Sequence, residues 1–176
     1  MKKKILLPLL AALLISGVSF AQKGNNVLQA SGQLSLPTNS LENSVKTGFG
    51  FAVKGMYGIS TKQQHLTLEA GYNNFAFKNF PEEIDAKFLA IPVNAGYRYT
   101  TGHFALEPQI GISVNRVGVS YAGESGNETE TNFAWAGGIS YMFNKIELGI
   151  KYQVTYLGDS DAITFGGIRL GYNFSL

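Results

Sequence analysis

From residue 27 onward, large apolar side chains alternate with small or polar ones at a period of two. In 27–36, Leu28, Ala30, Leu34 and Leu36 alternate with Gln29, Ser31, Gln33 and Ser35. In 146–156, Ile146, Leu148, Ile150, Tyr152, Val154 and Tyr156 alternate with Glu147, Gly149, Lys151, Gln153 and Thr155. The same alternation marks 46–57, 65–75, 86–100, 103–115, 132–143 and 164–176. Period two is the signature of strands with chemically distinct faces. After residue 22 no helical period extends beyond a few residues, and no apolar run is long enough to cross a membrane as a helix. Eight segments of about ten residues each predict an all-β fold, in lengths that suit tilted membrane-spanning strands.

The connections sharpen this into a topology. They run long (37–46), short (58–64), long (75–86), short (Thr101-Gly102), long (117–131), short (Asn144-Lys145) and medium. An eight-stranded antiparallel up-and-down barrel produces that order, with tight turns at the periplasmic end and longer loops outside. Nine acidic residues fall in the longer connections: Glu42, Glu82, Glu83, Asp85, Glu124, Glu128, Glu130, Asp159 and Asp161. Solvated loops account for them.

Alternation alone also fits a soluble lipocalin-like carrier, with its apolar face inward. The other face argues against that reading. A water-facing exterior is rich in Lys and Glu, whereas here it is mostly Gly, Ala, Ser, Asn, Gln and Thr. Such residues suit the cramped interior of a narrow barrel. The aromatics also sort by strand end. Tyr57, Tyr97, Tyr99, Phe104, Tyr141, Phe143, Tyr172 and Phe174 lie toward one rim, and Phe49, Tyr72, Phe133, Trp135, Tyr152 and Tyr156 toward the other. Two aromatic belts around an aliphatic band predict a transmembrane barrel facing lipid.

The first 21 residues read as a cleavable signal peptide, leaving 22–176 as the barrel domain. Lys2, Lys3 and Lys4 precede an apolar stretch from Ile5 to Ile15, and Ser19-Phe20-Ala21 offers small residues for cleavage before Gln22. Without the leader lysines, 14 basic residues become 11 against 12 acidic ones, so the basic excess belongs to the leader. Nucleic-acid binding is therefore not expected. With no cysteine, disulfides and thiolate metal sites are excluded.

Three acidic residues lie within strands, Glu69, Glu107 and Glu147, all on the small-residue face. Lys54, Arg98, Lys151 and Arg169 share that face, with His65 nearby. Charges confined in a narrow interior are costly unless paired, so an internal ion-pair network is expected. Arg98 is expected diagonal to Glu107, Lys54 diagonal to Glu69, and Glu147 within reach of Lys151 or Arg169. A catalytic constellation of His65, Glu69 and Glu107 is the competing reading. Four residues of strand separate His65 from Glu69 by about 13 Å, too far for a base and its orienting partner. No nucleophile-elbow, phosphate-loop or zinc-protease pattern is present. Neither enzyme activity, cofactor nor metal is expected, and His103 reads as a solvated rim residue.

With its strands placed, the chain resembles the small outer-membrane β-barrel domain family, the OmpA/OmpX-like superfamily in its PorT-like variant. The likeness rests on Phe88-Leu89-Ala90-Ile91-Pro92-Val93 with Gly96-Tyr97-Arg98-Tyr99, on Leu106-Glu107-Pro108-Gln109-Ile110-Gly111, and on the closing Gly167-Ile168-Arg169-Leu170-Gly171-Tyr172-Asn173-Phe174. The resemblance implies a last strand read by the barrel-assembly machinery, here through Tyr172, Phe174 and Leu176. Both termini are expected in the periplasm of a Gram-negative cell and the barrel in its outer membrane, as a monomer. A structural or envelope-interaction role through the loops is expected, with a surface or secretion-system protein as partner. A narrow porin-like channel and a secretion-system accessory barrel are the alternatives.

Overall fold

The computed structural model describes residues 25–59, 63–78, 84–121, 124–158 and 161–176. The leader expected at 1–21 lies outside them, as do Glu82, Glu83 and Asp159. Eight strands follow one another: β1 (Val27–Thr38), β2 (Gly48–Gly58), β3 (Gln64–Ala76), β4 (Ile84–Thr101), β5 (Phe104–Tyr121), β6 (Glu124–Phe143), β7 (Ile146–Tyr156) and β8 (Ala162–Ser175). Each pairs with its neighbours in the chain, and β1 pairs antiparallel with β8 from Val27↔Ser175 to Thr38↔Thr164, closing an eight-stranded barrel. Closure leaves no open sheet edge around the wall.

Two hairpins at one end are tight. Thr101 pairs with Phe104 and Phe143 with Ile146, so each loop holds two residues. The first turn is thus Gly102-His103, one residue later than expected. Gly102 (φ 58) and Asn144 (φ 55) occupy the left-handed region, which glycine and asparagine tolerate best. This is the turn end of the barrel, and the opposite end carries the longer connections.

The alternation maps onto the two faces of the wall. Ile110 is 65% exposed on the outside, whereas Glu69 is 1% exposed within. Aromatic rings cluster along the outer wall, with Phe51 stacked on Tyr72 at 5.1 Å and Tyr172 against Phe174 at 4.8 Å.

The structure corrects the sequence reading in two further places. The connection after β1 is not a solvated loop. It forms a short helix, α1 (Ser40–Ser44), followed by Val45, which bridges to Phe77. The Lys46 amide donates to the Ala76 carbonyl at 2.8 Å, fastening this segment to the end of β3. Leu41 and Val45 are thereby buried with Phe75, Phe88, Ala90 and Phe165. The inner face is therefore not polar throughout, because three phenylalanines fill its loop end. Secondly, 117–131 is largely strand. β5 and β6 stay paired out to Tyr121↔Glu124, with β4 beside them to Ile84↔Tyr121. Asp85, Glu124, Glu128 and Glu130 thus lie on strands in a three-stranded wing that projects from the loop end.

Candidate functional site

The lumen is built in layers by the inward positions of the strands. In its middle, Lys54 faces Glu69 across the β2–β3 ladder, with Nζ 3.2 Å from Oε2. The Lys54 Nζ also donates to Glu107 Oε2 at 2.6 Å. From the far wall, Lys151 Nζ donates to Glu69 Oε1 at 2.6 Å and Arg169 Nη1 to Oε2 at 2.6 Å. Glu69 therefore receives three cations from three strands.

Glu107 also accepts from Thr67 Oγ1 at 2.9 Å, from Gln109 Nε2 at 2.6 Å and from Arg98 Nη1 at 3.3 Å. Arg98 then clamps Glu147 with two bonds of 2.9 and 2.8 Å. The partner expected for Glu147 was Lys151 or Arg169, but both of those turn to Glu69. Barrel closure explains the exchange. Partner choice depends on which strands face each other across the lumen, and strand-local spacing carries no record of that.

The network continues through neutral polar groups of the same face, to which the sequence reading gave no partners. Gln33 bridges Arg169 and Asn73, accepting from Arg169 Nη2 at 2.9 Å. The Asn94 amide donates to Gln153 at 3.0 Å, and Asn173 donates to Glu147 at 3.2 Å. Thr67 and Asn73 flank Glu69 on the same inward face of β3, so their spacing did carry a signal. Toward the loop end, the phenylalanine cluster under α1 covers this polar filling.

His65 is buried at the turn end, where its Nε2 lies 3.1 Å from the Asn25 carbonyl oxygen. It pairs across the ladder with Arg98. Glu69 and Glu107 are engaged by cations, so the three do not form a base with an orienting partner. His103 Nδ1 lies 3.2 Å from the Met142 carbonyl, with its ring stacked on Tyr141 at 5.4 Å. Among the described residues, no cluster of His, Cys, Asp and Glu could hold a metal ion. Tyr172, Phe174 and Leu176 close the chain at the turn end, where the Leu176 amide donates to the Asn26 carbonyl at 3.0 Å. Both rings and Leu176 are exposed on the outer wall.

The second feature is the wing. β7 pairs with β6 only from Ala134↔Thr155 onward. Along 124–133 the far edge of β6 therefore has no pairing strand among the described residues. Glu128 and Glu130 share one face of that edge by their even spacing. On the same face of β5, Val117 and Val119 are exposed. An unpaired edge offers its backbone N–H and C=O groups to another chain.

The model of the outer membrane protein beta-barrel domain matches residues 8–174. None of the curated proteins matches the chain. Among solved structures, the attachment invasion locus protein Ail of Yersinia pestis, in complex with the heparin analogue sucrose octasulfate, aligns with a TM-score of 0.67 at 17% identity. That alignment covers 87% of this chain and 100% of Ail. Neisserial surface protein A gives 0.58 at 19% identity, over 86% of this chain and 97% of that one. The N-terminal β-barrel domain of Pseudomonas aeruginosa OprF gives 0.58 at 14% identity, over 86% and 100%.

Proposed function

The chain belongs to the family of the outer membrane protein beta-barrel domain, and on that premise we propose that it is a closed, non-conducting barrel that acts at the cell surface through its loop end. One observation carries this reading: the lumen is filled by ion pairs, amides and phenylalanines, while the wing presents an acidic edge with no pairing strand among the described residues. Eight strands leave an interior that side chains can fill, and here Lys54, Glu69, Glu107, Lys151 and Arg169 meet across it. Nothing in this arrangement supplies a nucleophile with a base, so the proposed role is interaction without catalysis.

In this reading the leader 1–21 is cleaved on export and both termini lie in the periplasm. The assembly machinery reads Tyr172 and Phe174, with Leu176 as the terminal residue. The partner is a surface protein or a component of a secretion system. Two measurements test the proposal. Purified protein in planar bilayers should show no steady open channel, and a large one would overturn the filled-lumen reading in favour of a porin. Shortening the hairpin by removing 118–127 should abolish partner binding or secretion while the barrel keeps its heat-modifiable gel mobility. Unchanged binding and secretion would refute the role of the wing.

A further inference from the structure

The phenylalanine cluster closes the lumen at the loop end, but the turn end is open. There a cavity of about 500 Å³ enters the mouth of the barrel, in the size range of small-molecule sites. Buried Arg98 and His65 line it, exposed Asn144 and Lys145 stand at its rim, and Met56 and Met142 add apolar surface. Four asparagine amides face it in all, and among the described residues no acidic side chain does. The negative group closest at hand is the chain's own α-carboxylate, on Leu176 in the same lining.

Among the described residues, four cations and three carboxylates make up the ion-pair network of the lumen, so one positive charge is in excess. An unbalanced charge in a poorly solvated interior draws an anion toward the nearest opening. Arg98 is the member of that network that reaches the cavity. Its bonds to Glu107 and Glu147 use three of its five N–H groups. His65 offers the opposite polarity. Its Nε2 donates to the Asn25 carbonyl oxygen, so Nδ1 of the neutral ring is an acceptor. That nitrogen is buried with no hydrogen-bond partner among the described residues, a costly state unless a donor meets it. A cation, an acceptor short of a donor, a set of amides and thioether surface thus converge on one cavity. Carboxylate, N–H, peptide group and apolar side chain are their complements, and the last residue of a peptide carries all four.

We propose that the turn-end cavity binds the free C-terminal end of a peptide, its carboxylate at Arg98 and Lys145 and its last N–H at His65 Nδ1. Met56 and Met142 pack on an apolar last side chain, because unbranched thioethers adapt to varied shapes. The asparagine amides give and accept hydrogen bonds along the preceding peptide group. In the orientation proposed above, the peptide comes from the periplasm, at the end opposite the wing. Binding itself does not depend on that orientation, so either can fail without the other.

The chain's two histidines provide the readout. His65 lines the cavity, whereas His103 is exposed at the same end and outside the lining. The folded barrel, labelled with heavy nitrogen at histidine and held in micelles of a sugar-headed detergent, is titrated at constant pH with N-acetyl-alanyl-leucine. The His65 Nδ1 resonance should shift saturably with a half-point of about 1 mM, while His103 stays in place. The same dipeptide amidated at its C-terminus should need about tenfold more, having lost a charge-assisted hydrogen bond. Inorganic phosphate, with neither N–H nor apolar side chain, should also need about tenfold more. Lys145→Gln should raise the half-point several-fold. Ser175→Trp, which fills the mouth, should abolish the shift in a barrel that keeps its heat-modifiable gel mobility. Lys46→Gln, at the loop end, should change nothing. If the tryptophan variant does not fold, Lys145→Gln in its exposed turn still decides the matter. Equal half-points for acid and amide, a shift shared with His103, or an unchanged half-point in Lys145→Gln would overturn the proposal. Phosphate matching the dipeptide would overturn it too, leaving a site that reads charge alone.

Discussion

Glu69 holds the centre of the lumen, because Lys54, Lys151 and Arg169 all converge on its carboxylate. Removing one member of a buried ion pair strands its partner in a poorly solvated place, which costs more than the pair contributes when whole. Glu69→Ala should therefore destabilise the barrel by about 3–5 kcal/mol, read from urea unfolding in lipid vesicles. Glu147→Gln should cost distinctly less, because Arg98 keeps Glu107 as a second carboxylate. Equal losses in the two variants would show that the charges act as one diffuse field and not as specific pairs. Which residues face the lumen was legible in the sequence, because period two places Glu69, Glu107 and Glu147 on the small-residue face. Which of them meet was not, since Arg98 and Glu147 are 49 residues apart. Their meeting depends on the stagger that closes the barrel.

At the scale of elements, strands were readable wherever one face is apolar and the other small. The reading failed where that contrast fades. In 117–131, Gly, Asn and Glu lower β-propensity, so the segment resembled a loop. Continued pairing to Tyr121↔Glu124 nevertheless keeps it extended. Around α1 the failure was of another kind. Leu41 and Val45 are scattered apolar residues in a polar connection, and only the opposing Phe75, Phe88 and Phe165 give them something to pack against. This cluster and the charged layer below it both fill the lumen, and they can be separated. Leu41→Ala with Val45→Ala should lower stability by about 2–5 kcal/mol through lost burial and the cavity left behind. It should leave bilayer conductance at background, because the ion pairs of Glu69 and Glu107 still cross the lumen. A new conductance in this variant would make α1 the true stopper and the charges merely its lining.

At the scale of the whole molecule, an even number of strands in up-and-down order places residue 27 and residue 175 at the same end, where β1 and β8 also pair. Tight two-residue hairpins share that end, while α1 and the wing rise from the other. Barrels of this kind keep short turns on the periplasmic side and longer loops outside, and the side-chain distribution agrees physically. Glu42, Glu128 and Glu130 stand at the loop end, where water solvates them. A peptide epitope inserted between Tyr121 and Glu124 should therefore be labelled by antibody on intact cells. The same epitope after Leu176 should be labelled only once the outer membrane is opened. Labelling of the C-terminal epitope on intact cells would invert the molecule, turning the acidic wing toward the periplasm. The wing would then need a partner inside the envelope. Orientation thus decides which compartment supplies the partner of the wing.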